Sequence, residues 1–163
     1  MSYSSKRKPR RTLSALLSIS LAPALGSSFP SQETETFSLF ASDGQVNDRF
    51  GGVVAIDGAF AVIGSNANGV EQLSGAAYIF DTTTGLELSK IEPDDGVFFD
   101  LFGNSVAIEG NTVVVGSPFD DQTSAEYSGS AYLFDPSSAQ QVAKLVASDL
   151  VAEDFFGWSV AIN

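Results

Sequence analysis

The chain has 163 residues, 44% of them hydrophobic, which is enough for one domain with a real core. It contains neither His nor Cys, so disulfides, Ser–His and Cys–His nucleophiles and the commonest transition-metal ligand are excluded. Eight basic residues stand against twenty acidic ones, for a net charge of −12, and a surface of that sign repels nucleic-acid phosphates and anionic lipid.

In chain order, residues 1–24 read as a signal peptide. Lys6-Arg7-Lys8-Pro9-Arg10-Arg11 is a basic n-region, Thr12–Leu21 a short apolar h-region, and Ala22-Pro23-Ala24 a cleavage site of small residues, with Gly26 as a second option. The apolar run is too short and too rich in Ser for a helix across a bilayer of about 30 Å, so no membrane insertion is expected. Arg10-Arg11 also permits twin-arginine export. The other reading of this segment is a disordered basic tail. Five of the basic residues lie in it and no acidic ones do. The remainder keeps Arg49, Lys90 and Lys144 against twenty carboxylates, a net charge of −17. Residues 25–36 are polar and read as a linker. The expected destination is outside the cytoplasm: extracellular, cell surface or periplasmic.

From residue 37 onward a twenty-residue phrase recurs, at Ser38–Asp57, Lys90–Glu109 and Lys144–Asn163. Seven columns are identical in all three copies: Asp43/Asp95/Asp149, Asp48/Asp100/Asp154, Phe50/Phe102/Phe156, Gly51/Gly103/Gly157, and Val54, Ala55, Ile56 with their equivalents. A period near fifty residues marks one supersecondary unit used repeatedly, with units at about 37–89, 90–143 and 144–163. Val53–Asp57 and Ala59–Gly64 are short apolar runs about Asp57-Gly58, a tight-hairpin signal, and Ser105–Glu109 and Thr112–Gly116 repeat it about Gly110-Asn111. Third strands are expected at Ala76–Asp81 and Ser130–Asp135, and fourth strands at Leu86–Glu92 and Gln141–Ala147. Four antiparallel strands per fifty residues, without helical periodicity, predict an all-β chain of β-propeller blades. A sandwich or a β-solenoid is the alternative, although a sandwich rarely repeats its own sequence. Propellers close with about 4–8 blades, and two units plus the start of a third make an incomplete one. Further blades of the same protein, or self-association, would be needed to close the ring.

With those residues in view, the chain resembles the FG-GAP repeat family, the blades of integrin α-subunits and of many bacterial exported proteins. Phe50-Gly51, Phe102-Gly103 and Phe156-Gly157 match the first half of that name; Gly116-Ser117-Pro118 matches the second, with Gly64-Ser65-Asn66 as a degenerate copy. Lys144–Ile162 and Ser128–Phe134 follow the bacterial version nearly word for word. On physical grounds each Phe of the pair is expected to plug the core between blades, and each Gly to allow a close backbone approach or a positive φ. Gly116 and Pro118 are read as structural in the same sense. The resemblance implies a binding or adhesion scaffold that is not an enzyme. A calcium-stabilised module of a larger secreted protein is the alternative, and a secreted hydrolase on a propeller scaffold the third reading.

Calcium is not carried over with the family name. Integrin blades that bind it carry an acidic loop between the two motifs, where this chain has only Glu109 between Gly103 and Gly116. The metal candidates are instead Asp95 and Asp100 on the recurring acidic turn, and Asp120 and Asp121 on the loop Phe119–Tyr127. The competing reading of the recurring Asp is turn capping through nearby backbone N–H groups. Asp120, Asp121, Glu126 and Tyr127 form the expected contact loop, since specificity in repeat proteins resides where copies differ on one rim. Its partner is expected to be a protein or carbohydrate on a cell or matrix surface.

Overall fold

The computed structural model describes residues 37–66, 74–122 and 125–163, so the predicted signal peptide and linker lie outside the described residues. Eight strands follow one another: β1 Val53–Asp57, β2 Phe60–Ser65, β3 Ala76–Asp81, β4 Glu87–Ile91, β5 Ser105–Glu109, β6 Thr112–Ser117, β7 Ser130–Phe134 and β8 Gln141–Leu145. No helix occurs among the described residues. The strands form two four-stranded antiparallel sheets in the orders β1-β2-β3-β4 and β5-β6-β7-β8. These are two propeller blades, and the opening phrase of a third lies against the second. No sheet closes into a barrel among the described residues.

The likeness between the blades extends to their irregularities. Asp57 pairs with Phe60 and Glu109 with Thr112, so both hairpins have two-residue loops, opened by Gly58 and Gly110 with positive φ. A register shift falls between Ile79 and Phe80 in one blade and between Leu133 and Phe134 in the other, at equivalent positions. The third copy departs from the pattern: Val160-Ala161-Ile162 carries no strand. β1 and β5, at the equivalent positions, each pair with the strand after their turn.

Strand alternation sends side chains to both faces of each sheet, and one of those faces is the contact between blades. Val62, Ala77, Ile79 and Ile91 of the first blade meet Val113, Val115, Tyr132 and Phe134 of the second, with Phe102 fully buried among them. Its ring stands edge-on to Tyr132 and Phe134, at centroid distances of 5.5 and 5.8 Å. Phe50 repeats this arrangement on Tyr78 and Phe80, at 5.4 and 6.0 Å, on the opposite face of the first blade. Burial of such a side chain contributes about 1.5–3 kcal/mol, so the Phe column is a main source of blade cohesion. Phe156 is 37% exposed, whereas Phe102 is fully buried.

The phrase of each copy is stitched to the blade before it. Phe102 N–H donates to Ser74 C=O, and Phe156 N–H to Ser128 C=O, both at 2.8 Å. Short parallel bridges form there, Gly75 with Phe102 and Gly129 with Phe156. Contact this close leaves no room for side chains. A Cβ on Gly103, where φ is +84°, would run into the Ala76 carbonyl oxygen, and one on Gly116 into that of Gly157.

Candidate binding face

Ser74 and Gly75, before β3, lie beside the second phrase, and Glu126–Gly129, before β7, lie beside the third. In each phrase the second Asp is flanked by left-handed residues: Asn47 and Arg49, Phe99 and Leu101, Glu153 and Phe155. This backbone turns sharply enough for the Asp side chain to reach back across it. Asp100 Oδ2 accepts from Val97 N–H at 2.7 Å, and Asp48 Oδ2 accepts from Gln45 N–H. Their carbonyl oxygens accept from Ser117 and Ser65 hydroxyls. Turn capping accounts for Asp48 and Asp100.

The first Asp of the phrase holds a different partner. Asp43 accepts from Tyr78 Oη and Lys90 Nζ, at 2.7 and 2.8 Å, and Asp95 from Tyr132 Oη and Lys144 Nζ, at 2.9 and 2.6 Å. Burial would raise the Asp43 and Asp95 carboxyls, but their Lys and Tyr partners outweigh it and hold both below the ordinary value. Burial, reinforced by the neighbouring carboxylates, drives both tyrosines well above theirs.

Blade two adds Asp120, which is 4% exposed. Its Oδ2 lies 2.7 Å from Lys144 Nζ and accepts from Ser130 Oγ, Gln122 Nε2 and Tyr132 Oη. Burial works to lower the Lys144 ammonium, but hydrogen bonds to Asp120 and Asp95 overcome it and raise it above the ordinary lysine range. Blade one instead has a cleft of about 120 Å³, lined by Asp43, Asp48, Tyr78, Lys90 and Glu92 among others.

Of the four metal candidates, Asp95 and Asp120 therefore converge on one ammonium, Asp100 caps its own turn, and Asp121 Oδ1 accepts from Tyr127 N–H at 2.7 Å. Among the described residues, no group of three or more His, Cys, Asp or Glu is placed to hold a metal ion.

The described residues of the loop Phe119–Tyr127 lie against the third phrase. Glu153 N–H donates to Glu126 C=O at 2.9 Å and Phe155 N–H to Tyr127 C=O at 3.1 Å. Along this seam Phe119, Tyr127, Phe155 and Trp158 cluster, with centroid separations of 5.2–6.5 Å. Trp158 is 58% exposed. Sequence reading did not select Phe119, Phe155 or Trp158. The signal was present: Phe155 stands where the other copies have Leu101 and Arg49, and Trp158 where they have Asn104 and Gly52.

Comparison with protein families matches the FG-GAP repeat at residues 34–80, 86–134 and 139–163, most of the chain and all three copies. The chain belongs to the FG-GAP repeat family. A comparison with curated proteins finds no match. In this FG-GAP protein the two halves of the motif meet directly, since Gly103 N–H donates to Gly116 C=O at 3.1 Å.

One FG-GAP turn carries a pH-dependent cost. Burial pushes the Asp100 carboxyl up to about 6; the Val97 hydrogen bond opposes the shift and the Asp120 charge adds to it. A raised carboxyl favours the protonated folded state. Its contribution is therefore complete below about pH 4 and lost as pH rises through 6. Asp100→Asn keeps an acceptor for Val97 N–H without the buried charge. Denaturant melts should show the variant about 2 kcal/mol more stable than the parent at pH 8, with the gap closing towards pH 4.

Proposed function

We propose that this chain is a non-enzymatic binding module of an exported protein, acting at the cell surface or outside the cell, with the rim around Tyr127 and Trp158 as its contact face. One observation carries the reading. In the first two copies the recurring Asp side chains are engaged by nearby groups, whereas Phe119, Tyr127, Phe155 and Trp158, at positions that differ between copies, cluster in a seam at which Trp158 is exposed. Asp43 and Asp95 are tied to Lys90 and Lys144, and Asp48 and Asp100 to their own turns. None of these carboxylates is presented to a substrate as an acid–base pair. Phe119, Tyr127 and Trp158 are instead gathered where specificity resides in repeat folds. Export is supported by the basic and apolar segments before residue 25 and by the acidic remainder.

The test is binding of the fluorescently labelled full chain to intact cells and to extracellular matrix. Tyr127→Ala with Trp158→Ala should abolish binding at an unchanged melting temperature. Binding that survives this double change places the contact face elsewhere. Turnover of a polysaccharide by the purified chain would overturn the non-enzymatic reading.

A further inference from the structure

We propose that the contact face is under proton control: a proton on the buried Asp100 carboxyl holds the aromatic seam together, and its loss loosens the seam. This rests on the binding-module reading and adds a means of regulating the same face. Asp100 is 2% exposed and stands one backbone hydrogen bond from the ring at the centre of the seam, since its C=O accepts from Phe119 N–H at 3.1 Å. The Phe119 ring lies 5.2, 5.4 and 6.4 Å from those of Tyr127, Phe155 and Trp158. The two residues after Phe119 fasten the rest of the loop. Asp120 C=O accepts from Gly129 N–H, and Asp121 Oδ1 accepts from Tyr127 N–H.

Those same two residues carry the carboxylates that face Asp100. Asp120 opposes its ionisation, the exposed Asp121 does so more weakly, and Lys144 of β8 favours it. Asp95, on Asp100's own turn, shares the Lys144 ammonium with Asp120. Tyr132 of β7 donates to Asp95 and Asp120, and burial keeps its hydroxyl protonated. Among the described residues these carboxylates are not placed to hold a metal ion. Ionising Asp100 therefore adds a charge to a group in which carboxylates already outnumber the one ammonium, where little water screens it. The repulsion falls on Asp120 and Asp121, and movement of Phe119 and Tyr127 relieves it. Burial places the Asp100 titration at about 6, in a window that ordinary carboxylates leave unused, and the chain has no His to titrate there. Below that pH the folded protein keeps the proton and the seam is held; above it the seam loosens. A face already ordered binds at lower cost, so the contact tightens in mild acid.

Trp158 is the only tryptophan, so its emission reports this site alone. The experiment follows acrylamide quenching of that emission in the full chain between about pH 5 and pH 8. Quenching should rise about twofold with pH, in one step centred near 6. Asp100→Asn, which keeps an acceptor for Val97 N–H, should hold the low value throughout. Asp48→Asn, the equivalent change in the first blade, should leave the step in place. Asp121→Asn keeps an acceptor for Tyr127 N–H but removes an opposing charge, and should move the step to lower pH. An absent step, or one that survives in Asp100→Asn, overturns the proposal. Binding of the labelled chain to cells and matrix is then compared at about pH 5.5 and pH 7.5. The ratio of the two affinities should be about fivefold higher in the parent than in Asp100→Asn. Equal ratios would place the pH dependence in the cell surface and overturn the regulation. If the chain binds nothing at either pH while the quenching step is present, the binding-module reading falls and the proton-linked seam stands.

Discussion

Replacing Gly103 with alanine is expected to destabilise the chain by about 2–5 kcal/mol, a large part of the roughly 5–15 kcal/mol available to a folded domain. Two costs add at this position. The backbone has φ +84°, a left-handed conformation that costs a residue with a Cβ roughly 1–2 kcal/mol. The added methyl also meets backbone, the Ala76 carbonyl and the Ser65 nitrogen, so no side-chain rotation relieves it. Overpacking against such rigid neighbours costs a further 1–3 kcal/mol or so. The contact lies where Phe102 enters the core and Gly103 bonds to Gly116, so relief requires the blades to move apart. Gly58 supplies the control. It too is left-handed, at φ +52°, but a Cβ there meets nothing within 4 Å. Gly58→Ala should cost only the conformational part, about 1 kcal/mol. Urea melts of both variants test the account, which fails if the two losses are equal.

That contrast also marks what the sequence made legible. Four strands per unit, the hairpin positions and the blade class follow from apolar runs, turn residues and a fifty-residue period, and strand ends differ from expectation by one or two residues. Glycine in a repeated column could be read as close approach or positive φ, but not as both together, because the partner backbone belongs to a different copy. Asp95 and Asp120 looked alike in sequence to Asp100 and Asp121. Only the fold reveals that the first two face one ammonium, since Lys144 is 49 residues from Asp95. The aromatic seam was missed for a related reason. Its members come from the β6–β7 loop and the third phrase, and attention to what repeats passes over columns where one copy alone turns aromatic.

Lys144→Met is expected to cost about 3–5 kcal/mol, because it removes the cation from a carboxylate that cannot reach bulk water. The Asp120 side chain is 5% exposed and the ammonium sits 2.7 Å from it. Hydrogen bonds from Ser130, Gln122 and Tyr132 remain, but they do not neutralise the charge. Lys90→Met makes the same change in the first blade, where Asp43 and Glu92 are each 50% exposed. Water can solvate those carboxylates, so the loss there should stay below about 1 kcal/mol. Adding Asp120→Asn to Lys144→Met removes the stranded charge and keeps acceptors for Ser130 and Tyr132. The double variant should recover most of the lost stability, a coupling expected of groups in direct contact. The consequence extends to the rim. Asp120 C=O accepts from Gly129 N–H at 3.0 Å, closing the base of the loop that ends at Tyr127. Amide exchange at Gly129 should therefore accelerate in Lys144→Met relative to amides of β2, and slow again in the double variant. Uniform acceleration throughout the chain would mean that the ion pair supports the blade as a whole, without a particular hold on the loop.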